Sequence, residues 1–153
     1  MSDARLTLDV SPEARQALRG LEKYLAGCGL PSSLLELVKL RVSSINGCAF
    51  CIDRHWRALR EEGELEARLY ALSAWREQAG YSPPERAALA WAESLTTVAT
   101  SGAPDALYAE VSAHFTPKEL ADLTYAIAAI NAWNRLCVAF RVPPEHPLPE
   151  RRS

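Results

Sequence analysis

Apolar residues recur along this chain at three- and four-residue intervals and nowhere alternate, a pattern that predicts helices throughout and no sheet. Ser11-Pro12-Glu13 is a helix start, with a capping serine and a proline at the first helical position. From there to about Ala26, the residues Ala14, Leu18, Leu21 and Leu25 form one stripe opposite Arg15, Arg19 and Glu22. Gly27-Cys28-Gly29 and Pro31 close that helix and open the next. Between Leu34 and Ile45 the apolar positions cover most of the helix circumference, which predicts burial on nearly all sides. Asn46-Gly47 is a break, and a third helix follows it to about Glu62, ended by Gly63.

Leu65, Leu69, Leu72 and Trp75 then recur at helical spacing, predicting one helix over Glu64 to Gln78. Ser82-Pro83-Pro84-Glu85 and Thr116-Pro117-Lys118-Glu119 each combine a capping box with a first-turn proline. They introduce helices through Leu95 and to about Phe140, with a shorter one over Asp105 to His114 between them. The pattern predicts an all-α fold, one domain over residues 1–153, with about six or seven helices around an antiparallel helical pair. The tail from Val142 holds four prolines, so 142–153 reads as a Pro-rich arm that lies on a neighbour or lacks regular structure, with His146 exposed.

Composition changes this picture little. The chain has 153 residues, 48% hydrophobic and 24% charged, enough for a core without disulfide staples. A net charge of −2 offers no general attraction to nucleic acid or to an anionic membrane. The opening MSDARLTLDV lacks the charged and apolar regions of a signal peptide, so a cytoplasmic location is expected. The longest apolar run of the last helix, Tyr125 to Ile130, is far short of the ~20 residues a membrane span needs. Asn131, Asn134 and Arg135 on that helix need partners, expected across a subunit contact or at loop carbonyls. No phosphate-binding glycine loop and no serine-nucleophile elbow is present.

The chemistry concentrates in Glu36 to His55, ELVKLRVSSINGCAFCIDRH. Cys48, Cys51 and His55 stand at i, i+3 and i+7, which on a helix gathers them within a sector of about 60°. A helix N-terminus stabilises a thiolate, and a nearby imidazole can take the thiol proton, so the motif reads as a redox-active dithiol with a base one turn below. In a reducing compartment, cysteines favour catalytic or metal-binding roles over structural bridges. Cys28, between two glycines, reads as a loop thiol, and Cys137, in apolar surroundings, as an inert core thiol. Glu36 sits between two leucines, where desolvation would raise its pKa and suit it to accept protons. Ser33-x-x-Glu36 equally fits a capping box, and spacing alone leaves both readings open.

Glu36, Cys48-x-x-Cys51 and His55 together resemble the core of the alkylhydroperoxidase D family, within the carboxymuconolactone decarboxylase-like superfamily. The stretches Ile130 to Arg135 and Val138 to Pro143 resemble the last helix of its peroxidase-related branch. The resemblance implies a thiol-dependent peroxidase in antioxidant defence, with Cys51 attacking peroxide, Cys48 resolving, and His55 and Glu36 relaying protons. It further implies no bound cofactor, an external dithiol reductant of lipoamide or thioredoxin type, and a trimeric or hexameric homo-oligomer. Phe50 is a departure, since well-studied members carry a second histidine there and phenylalanine cannot shuttle a proton. Two other classes remain. One is a metal-binding module using Cys48, Cys51 and His55, crowded on one helix. The other is a non-redox decarboxylase or lactone enzyme, a branch that by resemblance works without the dithiol.

Overall fold

A computed structural model describes residues 4–146 of the chain. Among them there are eight α-helices and no strand, slightly more helices than the pattern predicts. They are α1 (Pro12–Leu25), α2 (Ser32–Asn46), α3 (Ala49–Glu61), α4 (Glu66–Ala71), α5 (Pro83–Thr96), α6 (Val98–Ser101), α7 (Asp105–Ser112) and α8 (Pro117–Phe140). Short 3-10 turns occupy Leu8–Val10 and Leu72–Glu77.

The near-continuous apolar surface of α2 places it at the centre, packed against α3, α5 and α8. Toward α5 and α8 it buries Val38 and Val42 against Ala88, Ala92, Leu123, Ile127 and Ile130. The alanines of α5 let the helices approach closely. Toward α3 and the 3-10 turn, Leu37 and Leu40 meet Leu59, Leu72, Trp75 and Leu89 in a second, smaller cluster. Each fully buried leucine or isoleucine contributes roughly 1.5–3 kcal/mol of transfer free energy, so α2 anchors both clusters.

The capping boxes read at Ser82 and Thr116 are realised. Ser82 and Thr116 each accept from the third helical N–H while Glu85 and Glu119 return the bond to the cap backbone. Ser11 precedes α1 as expected but its hydroxyl makes no capping bond. The predicted helix over Glu64 to Gln78 is instead broken. It turns from α4 into the 3-10 segment, with Ala74 at φ −119° and ψ 32°, and Leu65 is left exposed. Arg86 of α5 is the physical reason: its guanidinium collects the carbonyls of Trp75, Arg76 and Gln78, replacing the helical bonds lost there.

The polar residues of α8 also find partners closer to home than expected. Asn46 at the end of α2 donates to both Asn131 and Asn134, at 3.0 and 2.9 Å. Asn134 donates to Ser43, and Arg135 to the backbone and side chain of Asn131. This intramolecular clamp ties the α2–α3 corner to α8. Beyond α8, Val142 donates to the Cys137 carbonyl and the backbone and ring of His146 donate to Asp53. Residues 142–146 thus lie along α3 of their own chain, with His146 exposed as expected, while 147–153 of the predicted arm lie outside the described residues. Among the described residues, no helix is long and apolar enough to cross a membrane.

Candidate active site

Gly47 starts the site. At φ 67° it adopts the left-handed conformation that side chains with a Cβ resist, and so ends α2 and turns the chain into α3. Cys48 becomes the N-cap of α3, its sulfur accepting from the Cys51 N–H at 3.3 Å. The two sulfurs are paired as a disulfide, with Cα atoms 5.4 Å apart, inside the usual disulfide range. His55 follows one turn below Cys51, and both are buried. The predicted gathering of Cys48, Cys51 and His55 at the start of one helix is therefore realised.

Glu36 reaches the same place from α2. Its Oε2 accepts from His55 Nδ1 at 2.6 Å, so the capping role for Glu36 is not the one realised, and α2 begins at Ser32 without a side-chain cap. A carboxylate that accepts at Nδ1 leaves the other ring nitrogen of His55 available for proton transfer. Oε1 of Glu36 is 3.4 Å from the Lys39 ammonium, which is itself bonded to Glu22 of α1 at 2.8 Å. Burial alone would raise the Glu36 carboxyl, but the His55 bond and charge, with Lys39, outweigh it and hold the pKa below 4.5. The expected upward shift is thus reversed. Burial likewise opposes the Lys39 charge, yet Glu22 and Glu36 raise its pKa above 10.5. Glu36 is a fixed anion at neutral pH.

A cavity of about 380 Å³ opens onto this group, lined by Glu36, Lys39, Cys51 and His55 together with the apolar Phe50, Ile130 and Trp133 among others. Glu22 and Trp133 carry no motif in the sequence, whereas Lys39 is signalled by its i,i+3 spacing from Glu36 on α2. The amphipathic reading of α1 could only mark Glu22 as solvent-facing, whereas it pairs with a buried lysine. Cys137 is buried as expected, but its sulfur lies within 4.8 Å of those of Cys48 and Cys51, and it lines the cavity. Among the described residues, the group of soft ligands close enough to share an ion is those three cysteines. His55, engaged by Glu36, does not belong to it, which corrects the Cys48, Cys51 and His55 ligand set.

A second, more open cleft of about 770 Å³ lies on the other side of α2, around Arg41, Trp75, Arg76 and Glu93. Glu93 accepts from Arg41 Nε and Trp75 Nε1, each at 2.8 Å, and from Arg76 at 2.5 Å. These bonds outweigh burial and hold its pKa below 4.5.

Residues 12–94 match the model of the carboxymuconolactone decarboxylase family. This chain belongs to that family. The uncharacterized protein YdfG of Bacillus subtilis is 41% identical to this chain over 131 residues, 86% of this chain and 89% of its own length. The uncharacterized protein YnjA of Escherichia coli is 32% identical over 77% of this chain and 65% of its own length. A protein of unknown function from Agrobacterium tumefaciens, described as a candidate AhpD antioxidant-defence protein, shares 41% identity. Its crystal structure superposes with a TM-score of 0.91, over 95% of this chain and 100% of that one. The debrominase Bmp8 shares the fold, with a TM-score of 0.80 at 21% identity over 90% of this chain and 74% of that one. The fold is thus the AhpD-like helical fold of the carboxymuconolactone decarboxylase family. The matched stretch contains Glu36, Cys48, Cys51 and His55 and stops before α8, which carries Cys137.

Proposed function

We propose that this chain is a thiol-dependent peroxidase that uses Cys51 and Cys48 as its redox pair and Glu36 and His55 as its proton relay. The observation that carries the reading is the 2.6 Å bond from His55 to an ionised Glu36, both lining the same cavity as Cys51, whose sulfur is paired with that of Cys48. In reduced protein, His55 takes the Cys51 proton, and the thiolate attacks the distal peroxide oxygen. The O–O bond breaks, Cys51 becomes a sulfenic acid, and His55 returns its proton to the departing alkoxide. Glu36 holds the Nδ1–H tautomer and stabilises the imidazolium between those two transfers. Cys48 then condenses with the sulfenic acid, water leaves, and the disulfide results. An external dithiol of lipoamide or thioredoxin type reduces it by exchange, with no bound cofactor.

A decarboxylase or lactone enzyme has no use for a dithiol, so the paired cysteines favour the redox reading within the family. Assembly as a trimer or hexamer is part of the proposal, supported by Tyr24, Tyr70, Tyr108 and Tyr125, large side chains more than half exposed.

The test is cumene hydroperoxide consumption with dihydrolipoamide as donor, comparing metal-free wild type with Cys51→Ser while counting free thiols. Wild type is expected to turn over and form the Cys48–Cys51 disulfide, and the variant to lose at least about 100-fold in kcat/KM. Folded wild type that loses no thiols on exposure to peroxide would overturn the proposal.

A further inference from the structure

The geometry points to Cys137 as a third redox thiol of this site, able to resolve oxidised Cys51 in place of Cys48. This rests on the peroxidase reading and extends it to a residue outside the sequence motif. Cys137 stands in the last turn of α8, eighty-six positions from Cys51, yet the two sulfurs come within 4.8 Å. A disulfide requires about 2.05 Å, and rotation of both thiols about their Cα–Cβ bonds covers a gap of that size. Both residues also line the same cavity, so the space in which Cys51 would meet peroxide is open to Cys137 as well. Three of the four cysteines in the chain thus converge on one small volume. A core that merely needed filling there would accept alanine or valine.

The chemistry balances with the groups present. Cys51 thiolate and a hydroperoxide give Cys51 sulfenic acid and an alcohol. The Cys137 thiol then displaces the hydroxyl group as water, forming a Cys51–Cys137 disulfide. Attack by Cys48 on the Cys51 sulfur would convert this to the Cys48–Cys51 pair and return Cys137 to a thiol. Burial pushes the Cys137 thiol up to about 11, only partly offset by Arg54, so at neutral pH it is mostly protonated. Its attack is therefore slow, and once bonded it is a poor leaving group. The role is a reserve one: it captures Cys51 when Cys48 is absent or blocked, before a second peroxide carries Cys51 to the irreversible sulfinic acid.

Cys48→Ser isolates this step and preserves the fold, because serine is a favoured N-cap. Reduced Cys48→Ser and Cys48→Ser/Cys137→Ala would each be treated with one equivalent of cumene hydroperoxide, with and without dimedone, and mapped by peptide mass spectrometry. The single variant is expected to give an intramolecular Cys51–Cys137 cross-link, and the double variant at least about fivefold more dimedone adduct at Cys51. Oxidised Cys51 in the single variant beside a free Cys137 thiol would overturn the role of Cys137 and leave the peroxidase reading intact. No oxidation of Cys51 in wild type or either variant would overturn both.

Discussion

Two carboxylates on opposite sides of α2 do different work with similar means. Glu36 and Glu93 are both largely buried, both sit beside cations, and both have pKa values held below 4.5 against the effect of burial. The difference lies in their donors. Glu93 accepts from Arg41, Trp75 and Arg76, none of which gives up a proton in the physiological range. It is a structural knot that pins the 3-10 turn to α2 and α5. Glu36 accepts from Lys39 and from an imidazole, and the imidazole shares a cavity with Cys51. A buried anion becomes chemically useful when one of its partners can exchange a proton with a reactive group.

Replacing each carboxylate by its amide tests that difference most severely. Glu36→Gln is expected to lower peroxide kcat/KM by about 100-fold, the low end of what a proton relay contributes. Glu93→Gln should leave kcat/KM within about twofold but cost about 2 kcal/mol of stability, since Arg41 and Arg76 lose the negative charge they pair with and one of the two accepting oxygens. Urea denaturation and peroxide kinetics on both proteins would check this, and equal activity losses would break the comparison. The stability cost carries a pH signature. A carboxyl whose folded pKa is depressed stabilises fully above its unfolded value near 4.5, and that contribution is lost as pH falls through the folded pKa. The gap between wild type and Glu93→Gln should therefore be widest at pH 7 and narrow below pH 4.5.

The same contrast explains what could be read from the chain alone. The capping boxes at Ser82 and Thr116, the Gly47 turn and the Cys48, Cys51 and His55 cluster depend on residues within a few positions of one another, so spacing reveals them. The break at Ala74 was invisible because Arg86, eleven or fewer residues downstream of the carbonyls it collects, competes with the helix from another element. The Glu36 pKa went the other way for a related reason. Its flanking leucines predict desolvation, and Lys39 stands one turn away on the same helix, but the bond that weighs most against burial comes from His55 of α3, with Glu22 of α1 behind Lys39, and both are brought in by folding. Cys137 comes within 4.8 Å of the Cys48 and Cys51 sulfurs because α8 packs against α3, a contact that no spacing in the sequence reveals. Local rules report conformation well, whereas electrostatics belongs to contacts between elements.

Lys39 offers a finer probe, because it adjusts the Glu36 charge without touching the thiols. Lys39→Met keeps the length and apolar stem of the side chain and removes the ammonium that bridges Glu22 and Glu36. Without it the Glu36 carboxyl rises, so protonation begins at higher pH and less of the relay is ionised in acid. The acid limb of the kcat/KM profile should move to higher pH, with a loss of about threefold at pH 5 and little change at pH 8. The sign for lysine itself is opposite. Its folded pKa is raised, so its stabilisation is complete below 10.5 and lost as pH rises through the folded value. Wild type should accordingly weaken in strong alkali more than Lys39→Met does. A uniform loss of activity at all pH values would instead assign Lys39 to packing.

The smallest effect is expected where a charge at the same cavity lacks burial. Glu145 lines the mouth and lies 3.7 Å from Arg54, but both side chains are more than half exposed. Water and salt screen such a pair to within about 1 kcal/mol, and its geometry is held only by the short stretch of chain after α8. Glu145→Ala should therefore change the melting temperature by no more than a few degrees and hydrogen peroxide turnover by less than about twofold. Any larger change should be confined to bulky hydroperoxides, which would meet the altered mouth while hydrogen peroxide would not. Parallel measurements of kcat/KM for hydrogen peroxide and cumene hydroperoxide decide it. A loss as large as that in Glu36→Gln, on both substrates, would mean that location at the cavity matters more than a buried, proton-exchanging partner, and the contrast between Glu36 and Glu93 would no longer explain which carboxylate the chemistry uses.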